Sequence, residues 1–286
     1  MFRLPRPCLP QIAPPTAASV LLSWLTLCVF LCLTAATGFY LLTALTEDIS
    51  THRRDMNAAA YRAQIYFDQR EALLRYLGDS VVVGDPSAPP SEGVRQLPLD
   101  GPGGKPGQRL LLSPRAEHTL NVLQTHLLLL DSQGTHWLAG RQADADITSL
   151  PTLQVLRQRS GTLAGTDPVY WLRPDNAGVA LAQPVQTGPD SNQWLILLLD
   201  RAATSDMIDG QHIGGYALLD RDGQPALSSP APHLDNAGWK ALQQRQDDSF
   251  GVLWSAGLPR GVALVKGVGN DGWRLVYHLP PRLLLG

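Results

Sequence analysis

The chain has 286 residues, 23 Lys+Arg against 25 Asp+Glu, a formal net charge of −2 at pH 7, and three cysteines. The near-neutral balance supplies no basic patch, which excludes nucleic acid as the expected partner. All three cysteines lie at Cys8, Cys28 and Cys32, so the remainder cannot be a disulfide-stapled scaffold.

Residues 1–16 carry Pro5, Pro7, Pro10, Pro14 and Pro15 and read as a short cytoplasmic tail. No residue between Arg6 and Glu47 is charged, and the run 17–45 is apolar. About 20 apolar residues cross the hydrocarbon core as a helix, so 17–45 is expected to be a single transmembrane span held by lipid. A cleaved signal peptide has an apolar core of roughly 7–15 residues, shorter than this one. Leu27 and Leu31 precede the two in-span cysteines where a lipoprotein needs small residues. Arg3 and Arg6 precede the span without an acid, whereas Glu47 and Asp48 accompany Arg53 and Arg54 after it, which orients the amino terminus inward. The cysteine-free remainder fits a periplasmic domain, and the expected location is the bacterial inner membrane.

Residues 46–77 are predicted to form a helical stalk. Met56, Ala60, Ala63, Phe67, Leu74 and Leu77 step by the 3.5-residue spacing of a packed helix, with Arg70 as the interruption. Two readings stand: the stripe faces the protein's own core, or it packs against a twin in a homodimer. Residues 78–108 are expected to be a loop, since Gly78–Gly107 holds 7 Gly and 6 Pro. GPGGKPG within it is no phosphate loop, because Pro106 stands where Ser or Thr is needed. Ser113-Pro114 signals a helix start, with Glu117 near the positive end.

His126–Gly140 reads as strand, turn, strand, and this hairpin recurs. Leu129-Leu130-Asp131-Ser132-Gln133-Gly134 matches Leu218-Leu219-Asp220-Arg221-Asp222-Gly223, 89 residues on. A helical segment follows in each copy, around Leu153-Gln154 and Leu242-Gln243. Next come an aromatic strand (Val169–Leu172, Phe250–Trp254), a Val-Ala-Leu strand (Val179–Leu181, Val262–Leu264) and a Trp-led strand (Trp194–Leu197, Trp273–Val276). The expected fold class is α+β, with two tandem modules at 109–205 and 206–280, each an antiparallel sheet of about five strands.

A span, a long helix and two sheet modules opening with LLD-x-x-G resemble the extracytoplasmic tandem PAS-like, or double Cache, sensor regions of bacterial receptors. The closest resemblance is to hybrid sensor histidine kinases of phosphorelay systems. Gly272–Pro280 resembles the last strand before a second span, and residues 281–286 would begin that span. The resemblance implies a membrane-anchored sensor region of a two-component histidine kinase, with a kinase core elsewhere in a longer parent. The alternatives are a standalone anchored periplasmic binding or accessory protein, and an anchored periplasmic enzyme.

No catalytic set is found. Gly267-Val-Gly-Asn-Asp-Gly272 matches GxGxxG, but a strand follows where a dinucleotide site needs a helix, so it reads as a hairpin turn. Asp220-Arg221-Asp222-Gly223 lacks the later ligands of a calcium loop. The seven histidines form no HExxH, and neither metal nor cofactor is expected. The candidate ligand-binding residues are Tyr170, Trp171, Arg173 and Asp175. Aromatics can wall a pocket there, and the guanidinium can clamp a carboxylate. The resemblance places a small periplasmic ligand, of unread identity, in this first, membrane-distal module.

Overall fold

A computed structural model describes residues 17–84, 92–99, 106–139, 152–160, 169–172, 179–185, 192–208, 215–229, 236–255, 258–269 and 272–279. One long helix, α1 (Ala17–Asp79), comes first. The chain divides into two units, residues 1–50 and residues 51–286.

In the first unit α1 is apolar and exposed: Leu21 and Leu22 are 70% accessible and Phe39 and Tyr40 73%. It is the one helix among the described residues long and apolar enough to cross a membrane. Its threonines return their hydroxyls to the preceding turn. Thr26, Thr34, Thr37 and Thr43 donate to the carbonyls of Leu22, Phe30, Leu33 and Phe39 at 2.8–3.0 Å. A hydroxyl satisfied in this way costs little in hydrocarbon.

In the second unit the stripe Met56, Ala60, Ala63, Phe67, Leu74 and Leu77 is buried within its own chain, which settles the stripe in favour of the core-facing reading. Arg70 does not interrupt the stripe. It is 4% exposed, its guanidinium carbon lies 3.3 Å from the Tyr66 ring centroid, and Nη2 donates at 3.5 Å to the Leu123 carbonyl.

Three strands follow: β1 (Val81–Val83), β2 (Arg95–Pro98) and β3 (Gln108–Leu112), in the order β1-β3-β2. The expectation of a loop over 78–108 is corrected for its described parts, 85–91 and 100–105 lying outside the described residues. Val81-Val82-Val83 and Arg95–Pro98 both pair antiparallel with β3, because a β-branched or alternating run forms a strand once a partner edge is offered. Arg95 ties this small sheet down, donating to Glu117 at 2.9 Å and to the Leu138 carbonyl at 3.2 Å. Helix α2 (Pro114–Val122) starts as its sequence signals: Ser113 Oγ accepts from the Ala116 amide at 3.2 Å and Pro114 fills the first turn.

The rest forms two five-stranded antiparallel sheets. The first contains β4 (Thr125–Asp131), β5 (Gly134–Ala139), β6 (Val169–Leu172), β7 (Val179–Pro184) and β8 (Trp194–Leu199), with α3 (Leu153–Ser160) between β5 and β6. Helix α4 (Arg201–Ile208) leads to the second sheet: β9 (Tyr216–Leu219), β10 (Pro225–Ser229), α5 (Asn236–Gln243), β11 (Ser249–Ser255), β12 (Leu258–Val268) and β13 (Trp273–Leu279). The orders are β5-β4-β8-β7-β6 and β10-β9-β13-β12-β11, the same path twice.

The repeated aspartates explain the repeated turns. Asp131 and Asp220 are each 5% exposed. Asp131 Oδ1 accepts from the Gln133 and Gly134 amides at 2.7 and 3.0 Å, and Asp220 Oδ1 from those of Asp222 and Gln224 at 3.0 and 2.7 Å. An aspartate that bonds the backbone two residues ahead stabilises a tight turn. The GxGxxG match connects antiparallel β12 and β13, as the hairpin reading requires.

Helix α1 docks on both sheets. Arg53 donates to the Asp248 carbonyl at 3.1 Å, the Phe67 and Trp273 rings are 5.5 Å apart, and Gly78 lies against the Gln183 amide of β7. Contacts with the second sheet therefore precede contacts with the first along α1. Helix α4 joins α1 through Arg62 to the Met207 carbonyl at 3.2 Å and Tyr66 to Thr204 at 3.0 Å.

Candidate functional site: the helix-covered face of the first sheet

Strand register sorts the residues of the first sheet. Leu128 pairs with Ile196, and Ile196 with Ala182; Leu130 pairs with Trp194, and Leu198 with Ala180. These side chains form one buried cluster with Leu156 of α3, against which Trp137 and Leu153 pack. They make one face of the sheet. Leu127, Leu129, Leu181, Leu195 and Leu197 alternate with them, are equally buried, and make the opposite face.

The α3 face is walled by aromatic side chains. Trp194 is 1% exposed, and Trp137 meets His126 edge to face at 5.6 Å. Its floor is small, with Ala180 and Ala182 fully buried in alternate positions of β7. The indole Nε1 atoms of Trp137 and Trp194 are buried and have no hydrogen-bond partner among the described residues. A buried indole N–H usually finds one.

Of the four residues proposed from sequence, Tyr170 and Trp171 lie on edge strand β6, and Arg173 and Asp175 lie outside the described residues. Tyr170 pairs with Leu181 and Trp171 with Ala180. The sequence reading missed Trp137 and Trp194 as wall residues. The signal was available in the alternation of Leu128 and Leu130 opposite a hairpin partner that carries Trp137.

The second sheet is built differently on its matching face. Ala217, Leu219, Ala263, Val265 and Val276 pack under Trp239 and Leu242 of α5. Where the first sheet has Trp194 opposite Leu130, the second has Arg274 opposite Leu219. Arg274 Nη1 lies 3.5 Å from Asp247, and Lys266 Nζ sits 3.2 Å from Asp247 and 2.9 Å from Asp248. The pKa values follow from this. The Asp248 carboxylate raises that of Lys266 against burial, with Asp247 adding to it. Burial alone would raise Asp247, but the Gly267 amide and Lys266 hold it below the usual carboxylate range. Burial lowers that of Arg70, and Tyr66 offsets part of the effect. No group of three or more His, Cys, Asp or Glu that could hold a metal occurs among the described residues.

No protein-family model matches the chain, and no curated protein matches it. Among solved structures it is similar to the sensory domain of the Campylobacter jejuni chemoreceptor Tlp3 (CcmL), at 9% identity and a TM-score of 0.51, covering 87% of this chain and 100% of that one. The ligand-binding domain of the same receptor with 4-methylisoleucine matches at 9% identity and 0.51, covering 84% and 94%. That of the Pseudomonas fluorescens chemoreceptor CtaA with L-isoleucine matches at 14% identity and 0.49, covering 85% and 97%. At such identities the likeness to the Tlp3 domains is one of fold, and this chain has the fold of those sensory domains.

Proposed function

We propose that the chain is the membrane-anchored, periplasmic sensor region of a bacterial signal-transduction receptor. In this reading residues 17–45 of α1 span the inner membrane, 46–77 form the stalk, and 109–205 and 206–280 are two PAS-like modules. The first module is membrane-distal and receives a small ligand on its α3 face. The supporting observation is that two sheets share one strand order and one docking helix, yet the first sets Trp137 and Trp194 over Ala180 and Ala182, whereas the second packs Trp239 over Ala217 and Ala263 and has Arg274 in the place of Trp194. The similar Tlp3 ligand-binding domain is in complex with 4-methylisoleucine, whose branched apolar body suits such a face. Output through a histidine kinase is the finer proposal, resting on the resemblance of Gly272–Pro280 to a strand that leads into a second span.

Ligand binding would act by favouring one arrangement of α1 over another, since equal affinity for both shifts nothing. A homodimer through the stalk would use the side of α1 that its own sheets leave open, where Tyr61 is 65% and Ile65 38% exposed. A small-molecule thermal-shift screen on the full chain in lipid nanodiscs tests the site. Ala180 and Ala263 hold matching positions in the two sheets. Ala180→Phe is expected to abolish the shift given by a screened ligand, and Ala263→Phe to keep it. A ligand indifferent to Ala180→Phe contradicts the assignment.

A further inference from the structure

We infer that the α3 face takes a small molecule with an apolar body and a hydrogen-bond acceptor oxygen, carbonyl or carboxylate. Trp137 and Trp194 then donate their indole Nε1–H groups to that oxygen or its neighbours. The inference rests on the reading of this face as the receiving site.

An indole nitrogen is a donor and never an acceptor, so whatever completes it must bring a lone pair. Trp194 is almost wholly inaccessible and its Nε1 has no partner among the described residues; Trp137 is only partly buried, but its Nε1 atom is likewise buried without a partner among them. The two belong together. Trp137 pairs with Leu128 across β5–β4 and Trp194 with Leu130 across β8–β4, and both leucines lie in the one cluster. Two unpaired donors on one face, one from each neighbour of β4, are a costly arrangement for a core and a useful one for recognition. Neither Trp239 nor Trp273 leaves a buried indole nitrogen without a partner.

The rest of the face sets the body of the ligand. Leu128, Leu130, Leu156, Ala180, Ala182 and Ile196 bring no polar side-chain atom and no carboxylate. Among the described residues this cluster gives an ammonium group no carboxylate to pair with, His126 beside Trp137 being the nearby polar side chain. An acceptor oxygen on a branched apolar body satisfies both the indoles and the hydrocarbon around them.

The test uses the full chain in nanodiscs with 15N-labelled tryptophan, the indole signals being assigned with Trp137→Phe and Trp194→Phe. The probes share one branched body: 4-methylpentanoate, 4-methyl-2-pentanone and 4-methylpentan-1-amine. The acid or the ketone is expected to move both indole N–H signals downfield, and the amine neither. Trp137→Phe is expected to weaken the binding probe about tenfold, the equivalent of one hydrogen bond of roughly 1.4 kcal/mol. Trp137 is on an edge strand, so this variant serves even if Trp194→Phe unfolds by circular dichroism. Movement of the indoles by the amine alone, acid or ketone binding with both indoles still, or no binding by any probe overturns the inference. A screened ligand that Ala180→Phe blocks but that moves neither indole would keep the site and sink only the acceptor chemistry.

Discussion

Trp194 and Trp273 each open the last strand of a sheet, and they face opposite sides. Trp194 stands opposite Leu130 and packs toward α3, whereas Arg274 takes the matching place opposite Leu219. Trp273 is thereby turned toward α1, where its ring lies 5.5 Å from Phe67. A one-residue slip in register flips every side chain of a strand, so two similar-looking sequences do different work.

Trp273→Ala is therefore expected to loosen α1, and Trp194→Ala to leave it in place. Each substitution removes a buried indole and costs about 3–5 kcal/mol in a folded domain. Amide exchange around Phe67 separates them. Faster exchange in Trp273→Ala alone is expected; equal acceleration in both contradicts the facing.

Arg70 and Tyr66 give a second test. The guanidinium is buried on a ring face and beside the carboxyl end of α2, where a cation is favoured. Replacing a buried charge by an apolar side chain of similar volume is often tolerated, so Arg70→Met is expected to change stability by less than about 1.5 kcal/mol. Arg70→Ala leaves a void and is expected to cost about 2–4 kcal/mol. Urea denaturation of the two variants checks the order.

The Asp247–Lys266 pair gives stability a pH dependence at both ends. Asp247 lies below its ordinary value, so its contribution is complete above about pH 3.9 and is lost as pH falls through the lower folded value. Lys266 lies above its ordinary value, so its contribution is complete below about pH 10.4 and is lost as pH rises through the higher folded value. Lys266→Met is expected to flatten both ends. The pair is partly exposed, so the effect stays under about 1 kcal/mol and shrinks with salt. Melting temperature against pH, at low and high salt, shows whether it does.

Gly261 is fixed by the strand that passes it. Its φ is +141°, and a Cβ there would lie 2.2 Å from the Leu279 carbonyl oxygen, a backbone atom that cannot swing away. Gly261→Ala is expected to cost more than about 1 kcal/mol and to fray the β12–β13 end, seen as lost amide protection at Leu279. A neutral urea midpoint contradicts the close approach.

Much of this fold was legible in the chain. The apolar run, the Ser113-Pro114 start and the twin LLD-x-x-G turns act through neighbours in sequence, so the sequence exposes them. What hid was set by distant partners. Val81–Val83 became a strand because β3 offered an edge, and Arg70 stayed in the core stripe because Tyr66 and Leu123 receive it. The matched tryptophans were separated by register, which no single strand encodes. For the candidate site, local composition drew attention to Tyr170 and Trp171. The walls found on the α3 face, Trp137 and Trp194, come from strands more than 50 residues apart that meet only across β4.

The central claim is that a ligand on the α3 face of the first sheet is felt by α1. Hydrogen–deuterium exchange of the full chain in nanodiscs, with and without a ligand whose binding Ala180→Phe abolishes, measures it directly. The account predicts protection gained in α3 and β6–β8 together with altered exchange in α1 between Met56 and Leu77. Changes confined to the second sheet, or an α1 that exchanges identically in both states, contradict it.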